Sequence, residues 1–163
     1  MGRGRRAGLA RMVDIGGKPA VERLAVARGH IRLRAGTVGA IRKGAVRKGD
    51  VLAAAQLSGI QAAKRTPDIV PLCHPVPLTS LAVELSLEPG GVSVRCEARA
   101  RYGTGVEMEA LCGVAGALLC VWDMVKYLEK DPTGNYPDTA IGDIRVLRKT
   151  KGKAIAGREK PGR

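Results

Sequence analysis

The sequence predicts an α+β fold of the ferredoxin-like, split βαβ kind: an antiparallel sheet with helices packed on one face. Three observations lead there. Residues 80–98 hold two alternating apolar stretches around a Pro-Gly-Gly turn; residues 51–64 and 104–130 repeat their apolar positions at three- and four-residue steps; and short extended candidates stand in residues 25–33 and 141–147. Read in order, this is strand, helix, hairpin, helix, strand. The 163 residues are one domain's length, and 45% hydrophobic residues are enough for a core.

Residues 1–11 read as a disordered basic tail, 12–153 as a single domain and 154–163 as a second basic tail. Within the domain, residues 12–23 (MVDIGGKPAVER) read as an irregular arm. The first strand falls within 25–33, where Val26, Ile31 and Leu33 can face a sheet. A short helix or turn over 37–46 leads to the helix 51–64, for which Asp50 is the natural N-cap. Four prolines in residues 66–79 (TPDIVPLCHPVPLT) exclude helix and central strand and leave a stiff extended connection. In the hairpin, Leu81, Val83, Leu85 and Leu87 share one face, Glu88-Pro89-Gly90-Gly91 turns, and Val92, Val94, Cys96 and Ala98 alternate on the return.

The longest apolar run is residues 104–130 (TGVEMEALCGVAGALLCVWDMVKYLEK), with Thr104 or Gly105 available as its cap. Glu107, Glu109, Asp123 and Lys126 interrupt it, so it does not read as a membrane span. A helix apolar nearly all round is buried on more than one side, in a core or against a second subunit. A Pro/Gly-rich loop over 131–139 separates it from the last strand, 141–147.

The formal charge of +13 suits an anionic partner, whether nucleic acid, a phosphate-rich small molecule or an acidic membrane, although much of the excess sits in the tails. With only 2% aromatic residues and no Phe, the chain lacks the stacking platforms that grip single-stranded nucleic acid. Cys73, Cys96, Cys112 and Cys120 form no CxxC pair and no zinc spacing, so they read as free thiols of a reducing, cytoplasmic protein. Two histidines are too few for a histidine-based metal site, and no metal ligands are assigned. There is no GxxxxGK[ST] loop and no GxGxxG fingerprint, so any nucleotide is held by side-chain cations and helix ends.

Several residues could carry chemistry. Asp123 and Lys126, three apart, share a helix face: they are either an ordinary surface ion pair or a functional one. Glu107 and Glu109 lie in the first helical turn, where they either cap the helix, Thr104 and Glu107 having capping-box spacing, or read N–H donors of a substrate ring. His74, next to Cys73 on a proline-stiffened backbone, is either structural or a fixed functional group. Arg23, Lys48, Lys64, Arg65, Lys126, Lys149 and Lys153 are solvated surface charges or the makings of a polyphosphate site. Glu109 and Asp123 are 14 residues apart, roughly 21 Å at about 1.5 Å per residue. One small-molecule site cannot easily take both from one copy.

The strings MVDIGGKP (12–19), KGDVLAAAQLSGIQAAKRTPDIVPLCHPVPL (48–78), TGVEMEAL (104–111) and WDMVK (122–126) together resemble the MoaC-type family of cyclic pyranopterin monophosphate synthases, over residues 12–153. The resemblance implies an enzyme of molybdenum cofactor biosynthesis that converts 3′,8-cyclo-7,8-dihydroguanosine triphosphate into cyclic pyranopterin monophosphate and pyrophosphate. It also implies a ferredoxin-like subunit in a homohexamer, a trimer of dimers, with sites between subunits. Asp123 matches the family's catalytic aspartate, and Lys126 and Lys48 join it in the catalytic set. Leu72, Cys73, His74, Glu107, Met108, Glu109, Arg23, Lys64 and Lys149 match substrate-binding and pocket-lining positions. The chemistry calls for a lysine with its pKa lowered by other cations and an aspartate to orient it, with cations around the departing pyrophosphate. Mg2+ is a candidate companion of the triphosphate. The chain departs from the family in its C-terminal KGKAIAG (151–157), in the long loop after the helix, and in Arg11 before the MVD string. The competing reading is a non-catalytic basic module for RNA or another polyanion, motivated by the charge.

Overall fold

The computed structural model describes residues 10–152. The two tails lie almost wholly outside the described residues, as does Lys153. Eight elements follow in order: β1 (Val21–Arg32), α1 (Ala35–Arg42), α2 (Val51–Lys64), α3 (Thr66–Ile69), β2 (Leu78–Glu88), β3 (Gly91–Tyr102), α4 (Glu107–Glu129) and β4 (Ala140–Lys151). The four strands form one antiparallel sheet in the order β2-β3-β1-β4. This is the α+β, ferredoxin-like arrangement that the hairpin and the two helical repeats predict.

The hairpin's inward residues meet the helices, while Glu84, Arg95, Glu97 and Arg99 pair with one another on the other face. Its turn depends on Gly91: at φ +150° a Cβ there would come within 1.9 Å of the Ile31 carbonyl oxygen. Helix α4 lies across β1 and β3, where Gly29 lets Val114 and Leu118 sit against the strand backbone. Its second side is covered by α2 of the same chain. Gly59 and Gly116 bring the two helices close, a Cβ at Gly59 falling 2.8 Å from the Gly113 carbonyl oxygen, and Ser58 Oγ donates to the Gly116 carbonyl at 3.0 Å. The core is aliphatic, centred on Ile31, Val83, Val92, Val94, Val114, Leu118, Val121 and Val125.

Four expectations change. Strand β1 begins at Val21, so the last part of the supposed arm, with Arg23, is sheet; Leu24, Ala25, Val26 and Ala27 are all buried, which removes the alternation that would mark it. Strand β4 runs on to Lys151 and carries Lys149 with it. The proline-rich stretch opens with one helical turn, α3, because Pro67 sits at its start, where a missing N–H costs nothing. Finally, α4 starts later than Thr104 or Gly105 would cap it. Val106 holds the N-cap position without a side-chain bond, and Glu107, at the first helical position and not the third, cannot complete a capping box. Asp50 does cap α2, accepting from the N–H groups of Leu52 and Ala53 at 3.0 Å each.

Candidate active site

Helix α4 carries a charged cluster at each end. Toward its C-terminus, Asp123 points outward between two ammonium groups. Lys126 Nζ lies 2.8 Å from Oδ1, and Lys48 Nζ lies 2.5 Å from Oδ2 and 3.1 Å from the Asp123 carbonyl oxygen. Lys48 reaches this position from the tight turn before α2, which closes by a 3.0 Å bond from Gly49 N–H to the Val46 carbonyl and needs φ +96° at Gly49. Hydrogen bonds from Lys126 and Lys48 hold the Asp123 carboxyl down to about 2, and the same bond to Asp123 pushes Lys126 up. Lys126 is therefore not a lysine lowered by neighbouring cations. Asp123, placed between the cations, outweighs their mutual repulsion at Lys126.

Beside this cluster, the Trp122 ring packs on Tyr136 at 5.7 Å, tilted 60°. Tyr136 is mounted on the long loop. Asp131 Oδ1 knots that loop by accepting from Thr133 N–H, Thr133 Oγ and Asn135 N–H.

Toward the N-terminus of α4 the groups are differently disposed. Lys149 Nζ donates to Glu107 Oε1 at 2.8 Å, and Arg23 donates to the carbonyls of Tyr102 and Gly103 at 3.2 and 3.1 Å. Burial would raise Glu107, but the Lys149 hydrogen bond, its own backbone N–H and the charges of Lys149 and Arg23 together hold it below the usual value. These residues line a cavity of about 450 Å³ with Lys18 and Lys151, four cations around one carboxylate. Next to it, a cavity of about 420 Å³ is lined by Glu109, Lys64, Pro67, Pro75, Pro77 and Tyr102. Glu109 is 2% exposed and neither carboxylate oxygen has a hydrogen-bond partner among the described residues; burial, with the Glu107 charge adding, pushes its pKa up against the opposing pull of its own backbone N–H. An unpartnered buried carboxylate facing a cavity is an acceptor waiting for donors.

His74 Nε2 donates to the Val13 carbonyl at 2.8 Å, which fixes the tautomer, since a carbonyl only accepts, and ties the arm to the proline-rich stretch. Burial and the nearby Glu109 raise the Cys73 thiol, which favours its neutral form. All four cysteines are free. Among the described residues no group of three or more His, Cys, Asp or Glu is placed to hold a metal ion.

One chain thus unites Lys48, Asp123 and Lys126, and separately gathers Arg23, Lys64, Cys73, His74, Glu107, Glu109 and Lys149 at the other end of the helix. It does not bring the two sets together. Leu72 and Met108 expose 50% and 38% of their surface. The sequence reading missed Lys18, in the turn before β1, Lys151, which pairs with Arg23 across β1 and β4, and Tyr127, whose hydroxyl accepts from Arg47 N–H at 3.0 Å. A signal for the last was present. Of one Trp and three Tyr in the chain, Trp122, Tyr127 and Tyr136 cluster within 15 residues.

Comparison with known proteins bears on what these clusters do. A profile of the MoaC family matches residues 12–152. A protein of Archaeoglobus fulgidus named probable cyclic pyranopterin monophosphate synthase is 52% identical over 145 residues, 89% of this chain and 93% of that one. One of the same name from Thermococcus kodakarensis is 52% identical over 88% of this chain and 92% of its own length. A relative from Methanothermobacter thermautotrophicus, named probable cyclic pyranopterin monophosphate synthase accessory protein, is 54% identical over 86% and 89%.

Proposed function

Because the chain belongs to the MoaC family, we propose that it acts as a cyclic pyranopterin monophosphate synthase, a phosphorus–oxygen lyase of molybdenum cofactor biosynthesis, converting the cyclised guanosine triphosphate into cyclic pyranopterin monophosphate and pyrophosphate. The observation that carries the reading is the Asp123 carboxylate held between Lys48 and Lys126. Closing the cyclic phosphate joins a substrate hydroxyl oxygen to the innermost phosphorus and breaks that phosphorus's bond to the bridging oxygen. The pyrophosphate leaves with the electron pair. Two fixed ammonium groups stabilise that charge, and Asp123 keeps Lys126 protonated until the phosphates arrive. As the ammonium groups turn to phosphate oxygens, Asp123 is released to accept the hydroxyl proton.

Glu109 supplies the second half. Its unpaired oxygens suit the N–H donors of a guanine-derived ring in the cavity that Lys64, Pro67, Pro75, Pro77 and Tyr102 line, with Leu72, Cys73, His74 and Met108 proposed as further contacts from the family match. Arg23, Lys149, Lys18 and Lys151 suit phosphate oxygens. Since one chain holds the halves at opposite ends of α4, the complete site is shared between copies, in a homohexamer built as a trimer of dimers, acting in the cytoplasm. Among the described residues no group of His, Cys, Asp or Glu forms a dedicated metal cage, and Mg2+ enters this reading bound to the triphosphate. Incubating the purified chain with the cyclised guanosine triphosphate tests this reading: pyrophosphate and the cyclic product are expected, and neither should form with Asp123→Asn or Lys126→Ala. Full activity in both variants would remove the assigned roles.

A further inference from the structure

Lys48 is exposed, sits on a four-residue turn, and is 75 residues from its partner Asp123 in sequence. Something must hold that turn in register with the helix. Two anchors are ordinary: Val46, 5% exposed, enters the core, and Asp50 caps α2. The third lies on α4. Tyr127 stands four residues after Asp123, so the two share one helix face, one turn apart. Its hydroxyl accepts from Arg47 N–H at 3.0 Å, and the Arg47 guanidinium lies over its ring, 5.0 Å from the centroid. Consecutive residues of the turn are therefore gripped by successive residues of one face, Arg47 by Tyr127 and Lys48 by Asp123.

We propose that Tyr127 is a positioning residue of the reaction: it clamps the Arg47-Lys48-Gly49 turn to α4 and so sets the distance between the Lys48 ammonium group and Asp123. The inference rests on the functional reading of Lys48 and Asp123 given above. Without the clamp, the Lys48 side chain has the freedom of an exposed lysine on a glycine-flanked turn, and the ion pair is populated for less of the time. The ring alone keeps the guanidinium contact, so Phe and Ala at this position separate the two components of the grip.

The expected outcome for Tyr127→Phe is a roughly three- to tenfold lower kcat with KM within about twofold, the range set by one hydrogen bond that orients a catalytic group. Tyr127→Ala should lose more. A purely structural residue would not move a second readout, the NMR titration of the Asp123 carboxyl. The groups acting on that carboxyl are Lys126 and Lys48; its charge in turn acts on Cys120, and Tyr127 stands one turn along the same helix face. In wild type the hydrogen bonds from Lys126 and Lys48 hold it down to about 2; Lys48→Ala should shift it upward, and Tyr127→Phe should shift it the same way by less. Wild-type kcat together with an unmoved Asp123 titration in Tyr127→Phe would overturn the clamp. If instead Lys48→Ala and Asp123→Asn keep full activity, the catalytic reading fails, and the titration still reports whether Tyr127 holds the turn.

Discussion

The two ends of helix α4 place the same chemical group in opposite circumstances. Asp123 stands in solvent, saturated by two lysines, with its pKa pulled down; Glu109 is buried, its carboxylate oxygens without a partner among the described residues, and pushed up. The difference shows what each end lacks. The C-terminal cluster is complete in its charges and awaits something that will compete for its lysines, as a polyphosphate does. The N-terminal cluster is incomplete, holding a carboxylate whose desolvation its own backbone N–H offsets only in part, which is what the proposed recognition of a donor-rich ring would require.

Mutations sharpen this contrast in a graded series. Asp123→Asn should have the largest effect, lowering kcat by more than about a hundredfold, the scale for removing a fixed electrostatic group. Because Asp123 is exposed, its thermal midpoint should stay close to wild type in calorimetry. Glu109→Gln should lower kcat/KM by up to roughly a hundredfold, the scale for losing hydrogen bonds to a charged group, and yet stabilise the fold. The sign follows from the raised carboxyl: between its ordinary and its raised pKa the folded state holds a proton the unfolded state has lost, so wild-type stability falls as pH rises through that window. Denaturant titrations of the variant should therefore match wild type at low pH and gain roughly 1 kcal/mol above the window.

The smallest effect belongs to Lys149→Ala. Glu107, held low, contributes stability above its ordinary pKa that is lost as pH falls through the lowered value. Lys149 is 70% exposed, so removing it should cost less than about 1 kcal/mol and almost nothing at high salt. A large, salt-independent loss in urea melts would mean that this pair is structural and that the two ends are less different than their exposures indicate.

The sheet was legible wherever one face is wet and one dry. Leu81 to Leu87 and Val92 to Ala98 alternate, and the glycine turn joins them. It was least legible in β1, where four successive buried residues erase the alternation, and in β4, whose exposed residues Arg145, Arg148 and Lys149 dilute it. The proline stretch misled because prolines exclude a helix interior but welcome a first turn. At the site, residue types and the family strings picked out Asp123, Lys126 and Glu109, and the helix rise placed Glu109 too far from Asp123 for one pocket. The contacts that hold Lys48 to Asp123, Arg47 to Tyr127 and His74 to Val13 span 75, 80 and 61 residues, and no local pattern announces them.

The claim that the two ends of α4 serve two different composite sites is tested most directly by complementation. Asp123→Asn and Glu109→Gln chains, each impaired alone, are co-expressed, purified as mixed assemblies, and assayed for pyrophosphate release. If each site takes its carboxylates from two copies, random assortment restores about a quarter of the sites and a comparable share of wild-type activity. Activity no higher than the average of the two single variants would contradict the account.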